Sequence, residues 1–218
     1  MEAPLPASAL IHSATLVSAG IYLLLRFNCL ILFNSFEFYI ILLGAITAAY
    51  GGIVAATQTD VKRLLAYSTI SHCGFLFVCV GLQAYNLVII YLYLHGIFKA
   101  ASFFCVGSFI RVAQSQDMRY MGSLSRYLPV DTLFLIFCSL NLGGFPLTLG
   151  YLYKSLFLST LVSSTNSIII ISLCFIGMLT SLIYVFRLIF FIAFDFYKGT
   201  PIHIIKYIQE SKISLKDY

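Results

Sequence analysis

Apolar residues fill positions 7–25, 38–57, 64–82, 87–110, 130–161 and 167–194, and polar residues collect in the gaps between them. Runs of about 20 apolar residues have the length a helix needs to cross a hydrocarbon core ~30 Å thick. The pattern therefore predicts an all-α, polytopic membrane protein with about six transmembrane helices. Pro4 and Pro6 stand at the entry to the first run, where a missing N–H is harmless. Asp60 is placed to cap the third, with Lys62 at or just inside the interface. The fifth run is too long, since about thirty residues of straight helix span ~45 Å. Gly143, Gly144 and Pro146 fall near its middle, so a discontinuous helix broken near Gly143–Pro146 is expected. Residues 1–198 form one transmembrane domain on this reading. Residues 199–218 form a polar tail whose isoleucine-rich part has the makings of an interfacial helix.

Composition sharpens the picture. A mean hydropathy of +0.97 and a charged fraction of 10%, against the usual ~25%, exclude a soluble domain. The basic residues divide by side. Arg26 alone lies on the side reached after spans one, three and five. Lys62, Arg63, Arg111, Arg119, Arg126, Lys198, Lys206, Lys212 and Lys216 lie on the other. The positive-inside rule makes that richer side the cytoplasm or a mitochondrial matrix, with both termini on it. The net charge of +5 thus follows membrane sidedness, and no nucleic-acid partner is implied. The N-terminus lacks the basic region of a cleaved signal peptide. The six cysteines show no metal-site spacing and read as small core residues. There is no phosphate loop, dinucleotide fingerprint or nucleophile elbow.

The candidate chemistry lies inside the apolar runs. Tyr91, His95 and Lys99 are four residues apart and share one face of the fourth span. With about ten residues on each side at ~1.5 Å per residue, Lys99 falls near the bilayer midplane, where snorkelling is hardest. An ionised lysine there costs about 2.5 kcal/mol or more and normally faces a protein interior or a wet cavity. Lys154 follows the expected break, and broken helices at membrane depth commonly line ion sites; a plain kinked helix with a snorkelling Lys154 is the blander alternative. His12 and His72 put imidazoles on two further spans, although an interhelical hydrogen bond explains His72 equally well. All eight acids fall in loops, tails or at span edges. Burial disfavours a charged amine. The lysines therefore either spend time neutral, as a proton relay needs, or receive a carboxylate from another chain.

Five segments, MEAPLPASALIHSATLV at 1–17, TDVKRLLAYST at 59–69, HGIFKA at 95–100, QDMRYMG at 116–122 and GFPLTLGYLYK at 144–154, follow one another in order. Together they resemble the subunit 5 family of respiratory complex I, the proton-pumping NADH:ubiquinone oxidoreductase. The resemblance covers about residues 1–198. It implies an antiporter-like membrane subunit of the mitochondrial inner membrane, or of a bacterial plasma membrane, with no cofactor of its own. NADH, FMN, iron–sulfur clusters and ubiquinone would be used in other subunits. By motif position, His12, Lys62, His95, Lys99 and Lys154 match the family's relay residues, with Lys154 nearest the exit. Tyr91 stands where the family usually has a second histidine; a phenol passes hydrogen bonds but titrates near ~10.

The resemblance implies partners as well: other membrane-arm subunits, membrane lipids, and a second polypeptide that supplies the family's upstream helices and an acidic partner if the subunit is split. A tryptophan-free, Phe-, Ile- and Tyr-rich composition fits an AT-rich mitochondrial genome. The competing expectations are the large subunit of an Mrp-type sodium/proton antiporter, which resembles the chain at His12 to Thr15, and an inactive membrane scaffold.

Overall fold

Each apolar run is helical over its described part in the computed structural model, which describes residues 15–28, 36–165 and 167–196. The helices are α1 (Leu16–Arg26), α2 (Glu37–Thr57), α3 (Val61–Gly81), α4 (Tyr85–Ala113), α5 (Pro129–Gly143), α6 (Leu149–Ser164) and α7 (Ile168–Ile189). The last winds directly into a π-helical turn, Phe190–Phe194. Among the described residues, α2, α3, α4, and α7 with its turn are long and apolar enough to cross a membrane. The expected tail helix at 202–208 and residues 7–14 of the first span lie outside the described residues.

The fifth run is two helices, α5 and α6. Gly144 adopts φ +77°, a left-handed conformation that a side chain resists, and its N–H closes α5 on the Leu140 and Asn141 carbonyls. The chain restarts at Thr148, whose hydroxyl accepts from the Tyr151 N–H at 3.3 Å and caps α6. Asp60 departs from expectation: it precedes α3, but its carboxylate accepts no helix amide and instead pairs with Arg63 at 3.2 Å. The guanidinium one turn on offers a charged donor that an exposed amide cannot match.

Small residues decide how the helices meet. On α2, Gly44, Ala48 and Gly51 face Gly74 and Ser71 of α3; a Cβ on Gly74 would lie 2.4 Å from the Ala48 nitrogen. Ser71 donates to the Ala48 carbonyl at 2.9 Å. The other flank of α2 packs on α7, where a Cβ on Gly177 would lie 3.2 Å from the Ala48 carbonyl. Close backbone approach through small side chains is the usual way helices associate in lipid, where no hydrophobic force separates one apolar face from another. Many other large apolar side chains point outward, with Ile90, Tyr93, Ile97 and Phe104 exposed along α4. Such a surface suits hydrocarbon and not water. The described cysteines carry no disulfide; Cys79, Cys105, Cys138 and Cys174 are buried as core residues and Cys73 is half-buried.

The two ends of the bundle are stitched by loop contacts that follow the alternation of spans. At one end Asn28 bonds Tyr85 and Gln83 donates to Glu37 at 2.5 Å. At the other, the Val61 N–H donates to the Gln116 carbonyl and the Met118 N–H to the Thr59 carbonyl, each at 3.0 Å. Arg187 donates to the Ala56 carbonyl, and Ser125 to that of Ala193 at 3.0 Å. Arg63, Arg111, Arg119 and Arg126 all belong to this second end.

Candidate functional site

Buried polar residues lie on α3, α4, α5, α6 and α7. The expected stripe on α4 turns inward: Tyr91, His95 and Lys99 are each at most 1% exposed. A second stripe faces it from α3, where Ser68 and His72 are four residues apart and are also buried. Lys99 Nζ donates to the Leu65 carbonyl at 3.2 Å and to Ser68 Oγ. Ser68 passes its own hydrogen to the Leu65 carbonyl at 2.8 Å. Lys62 lies one turn before Leu65, at the foot of the same face.

His72 stands at the crossing of three helices. Its Nδ1 is 2.8 Å from the Tyr91 hydroxyl on α4 and its Nε2 is 3.1 Å from the Tyr184 hydroxyl on α7. The interhelical hydrogen bond expected for His72 is therefore present twice. Tyr91, where the resemblance implies a histidine, binds an imidazole supplied by α3. The His72 and His95 rings lie 4.9 Å apart, and His95 Nε2 is buried with no hydrogen-bond partner among the described residues.

Lys154 comes from α6 and reaches back across the break. Its Nζ donates to the Gly143 carbonyl at 2.8 Å and to Ser181 Oγ of α7 at 2.7 Å. Gly143 ends α5, so the ammonium occupies the negative end of that half-helix's dipole and satisfies a carbonyl the break leaves open. Gly150 permits this fold-back, since a Cβ there would lie 1.7 Å from the Asn141 carbonyl oxygen. Tyr153 donates to the same carbonyl at 3.3 Å and stacks on Tyr91, with ring centroids 4.3 Å apart. Beside Lys154, a cleft of about 260 Å³ opens between the break and α7, bordered by Tyr151, Ser155, Phe175 and Leu179.

The site therefore brings together His72, Tyr91, His95, Lys99 and Lys154; Lys62 is buried at the start of α3, and His12 lies outside the described residues. Ser68, Ser181 and Tyr184 were not singled out by sequence reasoning. Their signal was present: Ser68 is four residues before His72, and Ser181 and Tyr184 are three apart in an apolar run. Both lysines are within electrostatic range of His72 and of each other. Among the described residues, the ion pair between Arg63 and Asp60 is at the surface, and no carboxylate pairs with either lysine. Two ammonium groups so placed repel strongly in a medium of low dielectric. The cluster is suited to hold one mobile charge and pass it between hydrogen-bonding groups.

Residues 1–183 match the family model described as NADH:quinone oxidoreductase/Mrp antiporter, TM. The NADH-ubiquinone oxidoreductase chain 5 of Paramecium tetraurelia is 48% identical over 199 residues, which is 89% of this chain and 35% of that protein. That of Apis mellifera ligustica is 36% identical over 214 residues, 98% of this chain and 38% of that one. Among solved structures, the Mrp complex from Dietzia sp. DQ12-45-1b superposes with a TM-score of 0.79 at 29% identity, over 90% of this chain and 22% of that chain. The chain spans about a third of the length of the curated relatives it matches. By the family match over most of its length, this chain belongs to the NADH:quinone oxidoreductase/Mrp antiporter transmembrane family.

Proposed function

We propose that this chain is part of the chain 5 membrane subunit of a proton-pumping NADH:ubiquinone oxidoreductase and carries a segment of its proton path. The observation that carries the reading is a pair of buried lysines, Lys99 and Lys154, each held by one carbonyl and one serine hydroxyl, within electrostatic range of the buried His72 and with no described carboxylate beside them. Lys62 leads into this path from the arginine-rich end, His95 and His72 hand over between the lysines, Tyr91 passes hydrogen bonds, and Lys154 faces the exit at the cleft. His12 is a further relay group by motif position. Redox chemistry, with NADH, FMN, iron–sulfur clusters and ubiquinone, belongs to other subunits. The protein sits in the mitochondrial inner membrane with its arginine-rich end in the matrix, beside other membrane-arm subunits. The carboxylate that balances the lysines comes from the family architecture outside residues 1–218, on a separate polypeptide if the subunit is split. Residues 1–198 act as one transmembrane domain and 199–218 as a polar tail.

The test is native electrophoresis of gently solubilised source membranes, with NADH dehydrogenase staining and mass spectrometry of the stained band. Peptides of this chain are expected in the active high-mass band. Recovery only from a small, NADH-inactive assembly would overturn the reading. The similarity to the Mrp complex keeps a second one in view, a sodium/proton antiporter, for which sodium-dependent proton flux is the assay.

A further inference from the structure

Lys154 is held on two sides and left open on a third. Its Nζ donates to the Gly143 carbonyl and to Ser181 Oγ, and Ser181 gives its own hydrogen to the Met178 carbonyl at 2.6 Å. Of the three positions around the nitrogen besides its carbon bond, two are used, and the last has no partner among the described residues. A charged lysine keeps a third N–H there; an uncharged one keeps a bare lone pair. Lys154 is also a wall of the cleft beside the break. The cleft exists because its two long walls pack elsewhere, α6 against α4 and α5, and α7 against α2 and α5. Tyr151, Ser155 and Leu158 line it from α6, and Phe175, Leu179 and Leu182 from α7, each set at the four- and three-residue steps of one helix face. Seven residues of helix make a trough ~10 Å long. Ser155 spends its hydrogen on the Leu152 carbonyl at 2.9 Å, so beyond Lys154 the trough is apolar. Tyr151, Phe175 and Leu179 are each about half exposed and open it sideways toward lipid.

We propose that this cleft binds a long-chain fatty acid, with its carboxyl group on Lys154 Nζ and its unbranched tail along the trough between α6 and α7. The charges argue for an acid. A buried ammonium without a carboxylate is costly, and among the described residues no carboxylate pairs with Lys154. The depth argues for a fatty acid rather than a phospholipid. α5 is 15 residues long, ~22 Å from the basic end to the break, which puts Lys154 inside a ~30 Å hydrocarbon core and away from the headgroups. A phosphate diester stays charged and is held at the surface. A protonated carboxyl is neutral and enters the core with its tail. There the acid O–H gives its proton to the lone pair of the unprotonated Lys154 amine; the carboxyl becomes a carboxylate and the amine an ammonium. One proton moves, the pair stays neutral overall, and no net charge enters the membrane. Lys99 is 0% exposed and offers no such approach. The site does not depend on the relay reading, since it needs only a lysine, a cleft and a lipid phase.

The test uses the assembled complex in its source membranes and a palmitic acid that carries a photoreactive diazirine in the tail and a terminal alkyne. After illumination, label is expected on peptides from 151–158 and 175–182. Unlabelled palmitic acid should displace it, and hexadecanol, with the same tail and no acid, should not. At limiting probe Lys154→Met is expected to cut labelling about tenfold or more, the effect of one charged hydrogen bond. Leu179→Trp, which fills the trough and leaves the lysine its two acceptors, should cut it as far. Displacement by hexadecanol as readily as by the acid, or full labelling of Lys154→Met, would reduce the cleft to a contact for lipid tails and overturn the proposal. Displacement by phosphatidylglycerol but not by palmitic acid would overturn it in favour of a phospholipid. Absence of label from both stretches would show the cleft closed by another part of the assembly, and would overturn it too. Where Lys154→Met does not assemble, the competition between palmitic acid and hexadecanol in the wild type decides alone. Loss of label with wild-type pumping in Lys154→Met would sustain the site and sink the relay role of Lys154.

Discussion

At the scale of single residues, what matters is how each buried charge is held. Lys99 keeps two acceptors and Lys154 keeps two, in each case one carbonyl and one serine hydroxyl. A hydrogen bond to a charged group contributes roughly 1.5–3 kcal/mol. Ser68→Ala is therefore expected to slow proton movement through this chain about tenfold or more, and Ser68→Thr, which keeps the hydroxyl, to retain it. Proton uptake by vesicles with NADH as the reductant checks this. Equal rates in the two variants would show that the hydroxyl is idle. The lysines, His95 and Tyr91 were legible in the sequence because polarity inside an apolar run stands out. Tyr184 was not, since a tyrosine in such a run reads as an apolar ring until its hydroxyl is seen to meet an imidazole.

At the scale of elements, glycines set both the closest packing and the break. Gly74→Leu would place a side chain into the α2 backbone, where nothing can yield, at a cost of about 1–3 kcal/mol or more. Gly96, with nothing within 4 Å of its would-be Cβ, should accept alanine within about 1 kcal/mol. The amount of assembled complex on native gels is expected to fall for the first and hold for the second. Gly144→Ala is a sharper probe. It sets a left-handed φ against a side chain, at about 1–2 kcal/mol, and its Cβ would meet Lys154 Cδ at 2.6 Å. Lys154 is then pushed from the Gly143 carbonyl, so pumping should fall to the level of Lys154→Met while assembly is retained. The break itself was legible from its glycines, its proline and the excess length of the run. That the second half folds back far enough for Lys154 to cap the first was not, because it depends on Gly150 lying against Asn141.

At the scale of the whole molecule, the loop contacts and the charge distribution describe the same two ends. Tyr120 lies at the arginine-rich end and is exposed, while Ser163 is exposed at the end of α6, on the opposite side. A cysteine at Tyr120 is expected to react with an impermeant maleimide from only one face of the membrane, and one at Ser163 only from the other. Labelling of both from one face would refute the alternation. The outward apolar face of α4 is left for lipid or for neighbouring subunits.

Hydropathy, the lysines at depth and the run lengths determined by themselves that this is a helical membrane protein with a broken fifth span, because transferring a helix into lipid depends on composition and length alone. Counting basic residues divided the loops between two ends, one of them basic. Only the tertiary structure decided which polar groups meet. Helical periodicity places His72 and Tyr91 on faces of α3 and α4, but the rotation of each helix in the bundle is set by the small residues at its contacts, such as Gly44, Ala48 and Gly74. Those contacts turn α3 and α7 so that Tyr184 meets His72 while Ser68 and Ser181 meet the two lysines, and that relation between helices is written in no local pattern.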